Sequence, residues 1–214
     1  ARFFEPRQLT QEDLARSNQY RAEGERKKMQ SQCGDMKSYL ASLEMVAQVR
    51  PFLPVDLPRI AQLVAKSNQF NLTTRRRSEA ELAEISQNPG WGHFSVRLRD
   101  RFGDHGLIAV VILRFEKEKT EIDTWLMSCR VLKRQVEELV LNEIFQQARR
   151  QGCQTVEGLY LSSGKNGIVK DLFPSFSFTG NGKCGAGDAY SLKTDDFRPW
   201  DHPIKVLTDE SNRG

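Results

Sequence analysis

Residues 106–115, GLIAVVILRF, are apolar almost without a break and rich in β-branched side chains. A run of that length and composition reads as a strand, and a strand apolar on both faces has to be covered on both. The chain therefore folds in layers, with other elements packed on either side of a buried strand. The run is also too short for a bilayer, since a spanning helix takes roughly 18 or more consecutive apolar residues. An integral membrane protein is excluded on that ground.

The flanking segments carry other periods. HFSVRLRD (93–100) alternates, with Phe94, Val96 and Leu98 on one face, and EIDTWLMSCRVL (121–132) alternates again. Turns at Gly103–Gly106 and Glu116–Thr120 make these three segments an antiparallel meander. Upstream, MVAQVRPF (45–52) reads as a strand. Leu57, Ile60, Ala61 and Val64 keep a helical period behind a cap at Asp56, and Ser78 with Glu81 forms a capping box for the next helix. Downstream the period switches: Val136, Leu139, Val140, Ile144, Phe145 and Ala148 line one face of a helix over 134–150 that ends at Gly152. A short buried strand (155–161), a helix over 165–173 stopped by Pro174, and two closing strands, FSFT and DAYSLKT, complete the order. The fold class is α/β in the α+β sense: a mixed, mostly antiparallel sheet flanked by helices.

Three regions follow. Residues 41–196 form the domain. Residues 1–40 are an N-terminal helical arm or linker: Thr10 caps a polar helix whose apolar positions are Leu14, Tyr20 and Met29, too few to bury much surface, and a second helix covers 35–43. Such an arm packs on something else, a missing domain included. Residues 197–214 read as an irregular tail.

Composition narrows the classes. Twelve Phe and three Trp suffice for a core, and 32 basic against 28 acidic residues leave a net charge of +4, which is mild for a nucleic-acid binder. Arg75, Arg76, Arg77, Arg97 and Arg99 make at most a thin basic patch, so no nucleic acid is expected. The four Cys show no C-x-x-C spacing and the three His lie far apart, so neither a metal site nor a disulfide framework is expected, and a cytoplasmic setting is. There is no signal-peptide core and no initiator Met, as in a processed chain or a portion of a longer one. Gly180–Gly185 satisfies G-x-G-x-x-G, but no helix follows it, and it reads as a mobile hairpin loop.

The element order matches the acyltransferase fold of the GNAT superfamily. Within it, NQFNLTTRR (68–76), FGDHGL (102–107), DTWLMSCRVL (123–132), Lys165-Asn166 and Phe173-Pro174 resemble the C-terminal region of FkbH-like (HAD-IIIC) proteins, over roughly residues 40–180. In that family a HAD-type phosphatase-like domain comes first, and a glyceryl unit is loaded onto an acyl carrier protein for polyketide biosynthesis. The Asp-x-Asp-x-Thr signature of the HAD half is absent here. The resemblance implies an acyl thioester ligand, on a carrier phosphopantetheine or on CoA, with no metal. It implies an acyl carrier protein and an upstream HAD-type domain as partners.

It also assigns residues. The turn into the helix at 134 is where a GNAT fold holds the cofactor pyrophosphate on free amides at a helix N-terminus. Arg130, Val131, Leu132, Lys133, Arg134, Gln135 and Val136 form that run, and Asn166 joins them as a cofactor contact. Lys133 and Gln135 stand where glycines are expected, so the turn either attracts phosphate by charge or binds nothing. Cys129, on the strand face of Asp123, Trp125, Met127 and Val131, is either a thiol that carries an acyl group or an inert buried one. His105, in the turn beside Asp104, is a general base or only a turn residue. Asn68, Gln69, Asn71, Thr73, Thr74, Arg75 and Arg76, with Asp123 and Trp125, can hydrogen-bond an acyl group, or the loop can satisfy its own backbone. In the Tyr-Pro-x-x-Gly-Phe pattern that supplies a proton to the leaving thiolate, this chain has Phe173 and Ser177, and a phenyl ring donates no proton.

Two functions stand side by side: an acyltransferase, and a non-catalytic module of the same fold that docks a carrier protein or a HAD-type partner. The first requires two neighbouring core strands to part before residue 133 and leave a slot for an extended thiol-bearing chain.

Overall fold

A computed structural model describes residues 11–207, with side-chain surroundings described from Arg21 onward. The elements are α1 (Gln11–Gln32), α2 (Met36–Ser42), β1 (Val46–Arg50), α3 (Leu57–Lys66), β2 (Phe70–Asn71), α4 (Glu79–Gln87), β3 (Trp91–Asp100), β4 (Gly103–Glu116), β5 (Lys119–Met127), α5 (Val136–Arg150), β6 (Thr155–Tyr160), α6 (Leu172–Ser175), β7 (Thr179–Cys184), β8 (Gly187–Lys193) and β9 (Lys205–Leu207). The main path of the sheet is β7-β8-β6-β5-β4-β3-β1-β9, and β2 pairs with β5 off that path. Pairings are antiparallel except β5 with β6 and β1 with β9.

The apolar run does what its composition demands. Leu107 through Leu113 are all buried. On one face Leu107, Val110 and Ile112 pack with Leu57, Ile60 and Val64 of α3 and with Leu82 and Ile85 of α4. On the other, Ala109, Val111 and Leu113 join a larger core with Val136, Leu139, Val140, Ile144 and Phe145 of α5. The capping box forms as read: Glu81 N–H donates to Ser78 Oγ, and Ser78 N–H donates to the Glu81 carboxylate. Gly158 of β6 has a packing reason, because a Cβ there would run into the ring of Phe173.

Several local expectations need correction. Gly103–Gly106 is the start of β4, not a turn; the reversal falls at Arg101–Phe102. β5 ends at Met127, and Cys129–Val131 is a 3-10 turn, so the expected strand face stops short of Cys129. Residues 165–173 form a 3-10 turn (Gly167–Val169) and the one-turn helix α6, which runs through Pro174 instead of stopping at it. FSFT is no strand: Phe176–Phe178 precede β7, and the glycine-rich stretch read as a mobile loop is β7 itself. The tail is built into the domain over 197–207. Phe197 stacks on Phe145 at 3.8 Å between ring centroids, and β9 adds a strand beside β1. Thr10, the side chains of Leu14 and Tyr20, and residues 208–214 lie outside the described residues.

The arm packs on its own domain. Arg26 is buried against Asp100, the last residue of β3, while Arg21, Glu25, Lys27, Lys28 and Gln30 stay exposed. A helix polar on nearly every side touches its support through a narrow stripe, here Arg26, Met29 and Cys33 at helical spacing.

Candidate functional site

β5 and β6 part company as a thiol-bearing ligand requires. Their parallel pairing runs from Lys119 with Thr155 to Ile122 with Gly158 and goes no further. The gap that opens is filled by the chain itself. Phe70 and Asn71 pair with Met127 and Leu126 of β5. Leu72 N–H donates to Trp125 O at 3.3 Å, and Leu161 N–H donates to Leu72 O at 2.8 Å. Residues 70–72 thus bridge the two strands, and the backbone groups they engage there are already satisfied. The middle of this segment is deeply buried: Phe70, Asn71, Leu72 and Thr73 all lie in the interior.

The polar residues of the segment serve that arrangement. Asn71 Nδ2 donates to Ser67 O, and its Oδ1 accepts from Thr74 N–H at 2.9 Å. Thr73 Oγ1 donates to Asp123 O at 2.9 Å. The buried Asp123 carboxylate is neutralised by Arg75 and by Arg77 at 2.9 and 3.0 Å, and it accepts from Thr124 at 2.8 Å. Arg76 binds the carbonyls of Val64 and Ala65 and the side chain of Asn68, closing the end of α3. Gln69 is exposed, and Trp125 is fully buried against Phe70. Asn166 is a clasp: its Nδ2 donates to Asn71 O and Leu161 O, each at 2.8 Å, and its Oδ1 accepts from Ser163 N–H at 2.9 Å. The amides and hydroxyls of NQFNLTTRR therefore act largely within the protein.

At the head of α5 two residues have positive φ although neither is glycine. Lys133 and Gln135 have φ of 62° and 61°, and Ser177, which also stands at an expected glycine, has 65°. Each adopts the left-handed conformation that glycine takes without steric cost. Arg134 between them turns inward and is buried. Burial pushes the Glu137 carboxyl up to about 7. The amides of Glu137, Lys133 and Val136 act on it in the opposite sense, and Glu138 adds repulsion. The Glu137 carboxyl thus sits close to the backbone at the head of α5.

That geometry carries a pH prediction. A carboxyl raised above its ordinary value stabilises the fold while protonated, fully below about 4.5, and that contribution is lost as pH rises through about 7. Glu137→Gln keeps the neutral form at every pH. It should add stability at pH 8.5, up to about 3 kcal/mol at 1.4 kcal/mol per pH unit of displacement, and almost none at pH 4.5. Urea unfolding at the two pH values measures the difference.

The nominated catalytic residues are not brought together as a reacting pair. Cys129 is exposed. His105 is buried, and its Nε2 lies 2.9 Å from Asp100 Oδ2 and 3.2 Å from Arg134 Nη1. It belongs to an ionic cluster under the arm, where it has no open path to a substrate. Arg130 and Lys133 are exposed, Val131 and Val136 are core residues, and Leu132 is partly buried. Phe173 is buried, tilted against Phe178 at 5.0 Å between ring centroids and stacked on Tyr190 at 5.3 Å, so position 173 has no phenol of its own while the phenol-bearing ring of Tyr190 lies against it. Sequence reasoning missed Asp100 and Arg26, which have no motif; a lone Asp closing an alternating strand was the only signal. Among the described residues no group of three His, Cys, Asp or Glu is placed to hold a metal. Among the same residues no helix is long and apolar enough to cross a membrane.

No protein-family profile matches this chain, and no curated protein matches it in sequence. Solved structures do match its fold. The PaiA N-acetyltransferase of Thermoplasma acidophilum, in complex with coenzyme A, superposes with a TM-score of 0.55 at 13% identity, covering 69% of this chain and 98% of that one. The spermidine N-acetyltransferase of Vibrio cholerae, with CoA and spermine, gives 0.51 at 13%, covering 71% and 96%. The GNAT domain of S. lividans PAT gives 0.51 at 14%, covering 68% and 89%. The protein has the GNAT acetyltransferase fold, and at such identities the likeness is one of fold. Residues 70–72 already fill the gap between β5 and β6, and side chains stand at 133 and 135 where the pattern has glycines, so these residues do not fit a CoA laid across them.

Proposed function

We propose that this domain is a docking module built on the acyltransferase fold, one that holds an acyl carrier protein and transfers no acyl group itself. The observation that carries this reading is the filled gap: residues 70–72 bond to β5 and to Leu161, where an acyl thioester would have to lie. The missing phenol and the buried His105 support it. The partner follows from the FkbH-like resemblance, whose setting is carrier-bound glyceryl units of polyketide biosynthesis, with a HAD-type domain upstream. Carrier proteins are acidic, and the exposed Arg130 and Lys133, in the segment between β5 and α5, offer the complementary charge. Acyl transfer is the second reading, and one observation favours it: the left-handed backbone at Lys133 and Gln135 keeps the shape of a phosphate turn.

Calorimetry with a holo carrier, an acylated carrier and an acyl-CoA separates the two. The docking reading expects carrier binding that weakens with salt and no heat with the acyl-CoA. Arg130→Ala with Lys133→Ala should weaken the carrier by about tenfold, roughly 1.4 kcal/mol shared by two rim charges. Turnover of the acyl-CoA, or an acyl adduct lost in Cys129→Ala, would establish acyl transfer instead. Absence of carrier binding would overturn the docking reading.

A further inference from the structure

The buried Asp100 carboxylate gathers donors from several elements at once. Its Oδ1 accepts the amides of Phe102 and Gly103 at 2.9 and 3.1 Å. Arg26 of the arm takes both carboxylate oxygens, Nη2 to Oδ1 and Nε to Oδ2, each at 2.8 Å. His105 Nε2 lies 2.9 Å from Oδ2, and Arg134, from the turn before α5, reaches the same oxygen at 3.3 Å. Two arginines from separate elements thus share one buried carboxylate, and they share it unequally.

We infer that the arm and the Lys133–Gln135 turn compete for Asp100, so that docking of α1 loosens the turn and release of α1 tightens it. The arm holds the two-pronged geometry, the stronger one for an arginine on a carboxylate. Arg134 is left one contact with Asp100, at 3.3 Å, and a like charge beside it. Arg26 and Arg134 are 4% and 8% exposed, so their repulsion is poorly screened. Burial first, and the charge of Arg26 next, make Arg134 give up its proton more readily than usual; the attraction of Asp100 ranks below both. Glu23 of the arm offsets this in part, at 3.4 Å from Arg26 and 3.8 Å from Arg134, but its side chain is 49% exposed and screened by water. Tyr39 of α2 is buried at the edge of the cluster and adds no charge while its phenol keeps its proton.

The acceptor itself does not depend on the arm. The amides of Phe102 and Gly103 hold the Asp100 carboxylate on the body of the domain, so it stays in place when α1 departs and its vacated oxygens fall to Arg134. The arm's own grip is narrow, with Arg26 the only buried residue among those described in α1. Whatever positions the arm thereby sets how firmly the turn at the head of α5 is held.

Hydrogen exchange on the full chain tests this, because competition has a sign that shared packing lacks. Arg134→Gln should slow exchange of the amides over 24–33, and Arg26→Gln should slow those over 133–138, each by about fivefold, the lower end of usual coupling between sites. Lys28→Ala, on the exposed face of α1, should change neither. Faster or unchanged exchange in the remote segment overturns the inference, since neighbours that merely prop each other up loosen together. Should Arg26→Gln lose protection throughout the chain, Arg134→Gln decides alone, by whether the arm tightens.

Discussion

Replacing Asp100 by asparagine should lower the unfolding free energy by about 3–5 kcal/mol, the usual consequence of leaving a buried charge without its partner. Two guanidinium groups, Arg26 and Arg134, would then share an amide that cannot neutralise them. Asparagine still offers an oxygen to the Phe102 and Gly103 amides, so the loss reports charge and not turn geometry. Burial works against ionisation of Asp100, but the bonds and charges of His105 and Arg26 outweigh it and hold its carboxyl well below the usual range. The sign follows. A depressed carboxyl contributes stability that is fully present above its unfolded value, about 4 for Asp, and that is lost as acid carries the pH down through the folded value. Urea unfolding of wild type and Asp100→Asn should therefore differ clearly at pH 5 and above, and the two should converge in strong acid. A difference under about 1 kcal/mol at pH 7 would place the pair in the range of exposed salt bridges and remove the basis for a buried hub.

Asn166→Ala should cost about 3 kcal/mol and loosen the junction of residues 70–72 with the end of β6. The side chain is fully buried, and its loss strips partners from Asn71 O, Leu161 O and Ser163 N–H together. Each buried polar group left unpaired costs about 1–3 kcal/mol, less where water can enter. Asn166→Asp should be no milder, because a carboxylate cannot donate to the two carbonyls. Thermal unfolding measures the cost. Exchange at the Leu161 amide, bonded to Leu72 O, should quicken more than exchange within the paired part of β6. Equal acceleration throughout β6 would mean that Asn166 supports the whole strand and not the filled gap in particular.

The architecture was legible wherever a side-chain pattern repeats. The run at 106–115, the capping box at Ser78 and Glu81, and the apolar face of α5 each state which side of an element is buried, and each was realised. The misplacements fall where two local rules compete. His105 sits among residues typical of turns, yet the alternation of β4 extends through it to Gly103. Phe176 and Phe178 suit a strand by composition, but their rings pack beside α6, with Phe178 against Phe145 and Phe173. The tail lacks a period, so nothing in it announced that Phe197 would stack on α5 or that Lys205–Leu207 would pair with β1.

The candidate site divides along the same line. The chain by itself determined which side chains the site lacks: the phenol at 173 and the glycines at 133, 135 and 177 are absent as written. Those absences did not say what the backbone does, and all three positions where the pattern has glycine adopt a left-handed conformation. Only the tertiary structure decided that, because φ at each position is imposed by the packed elements on either side. It also decided that the gap between β5 and β6 is filled. A two-residue strand has no period to read, and its bonds are made by backbone groups that every residue type carries, so no choice of side chains at 70–72 could declare its partners in advance.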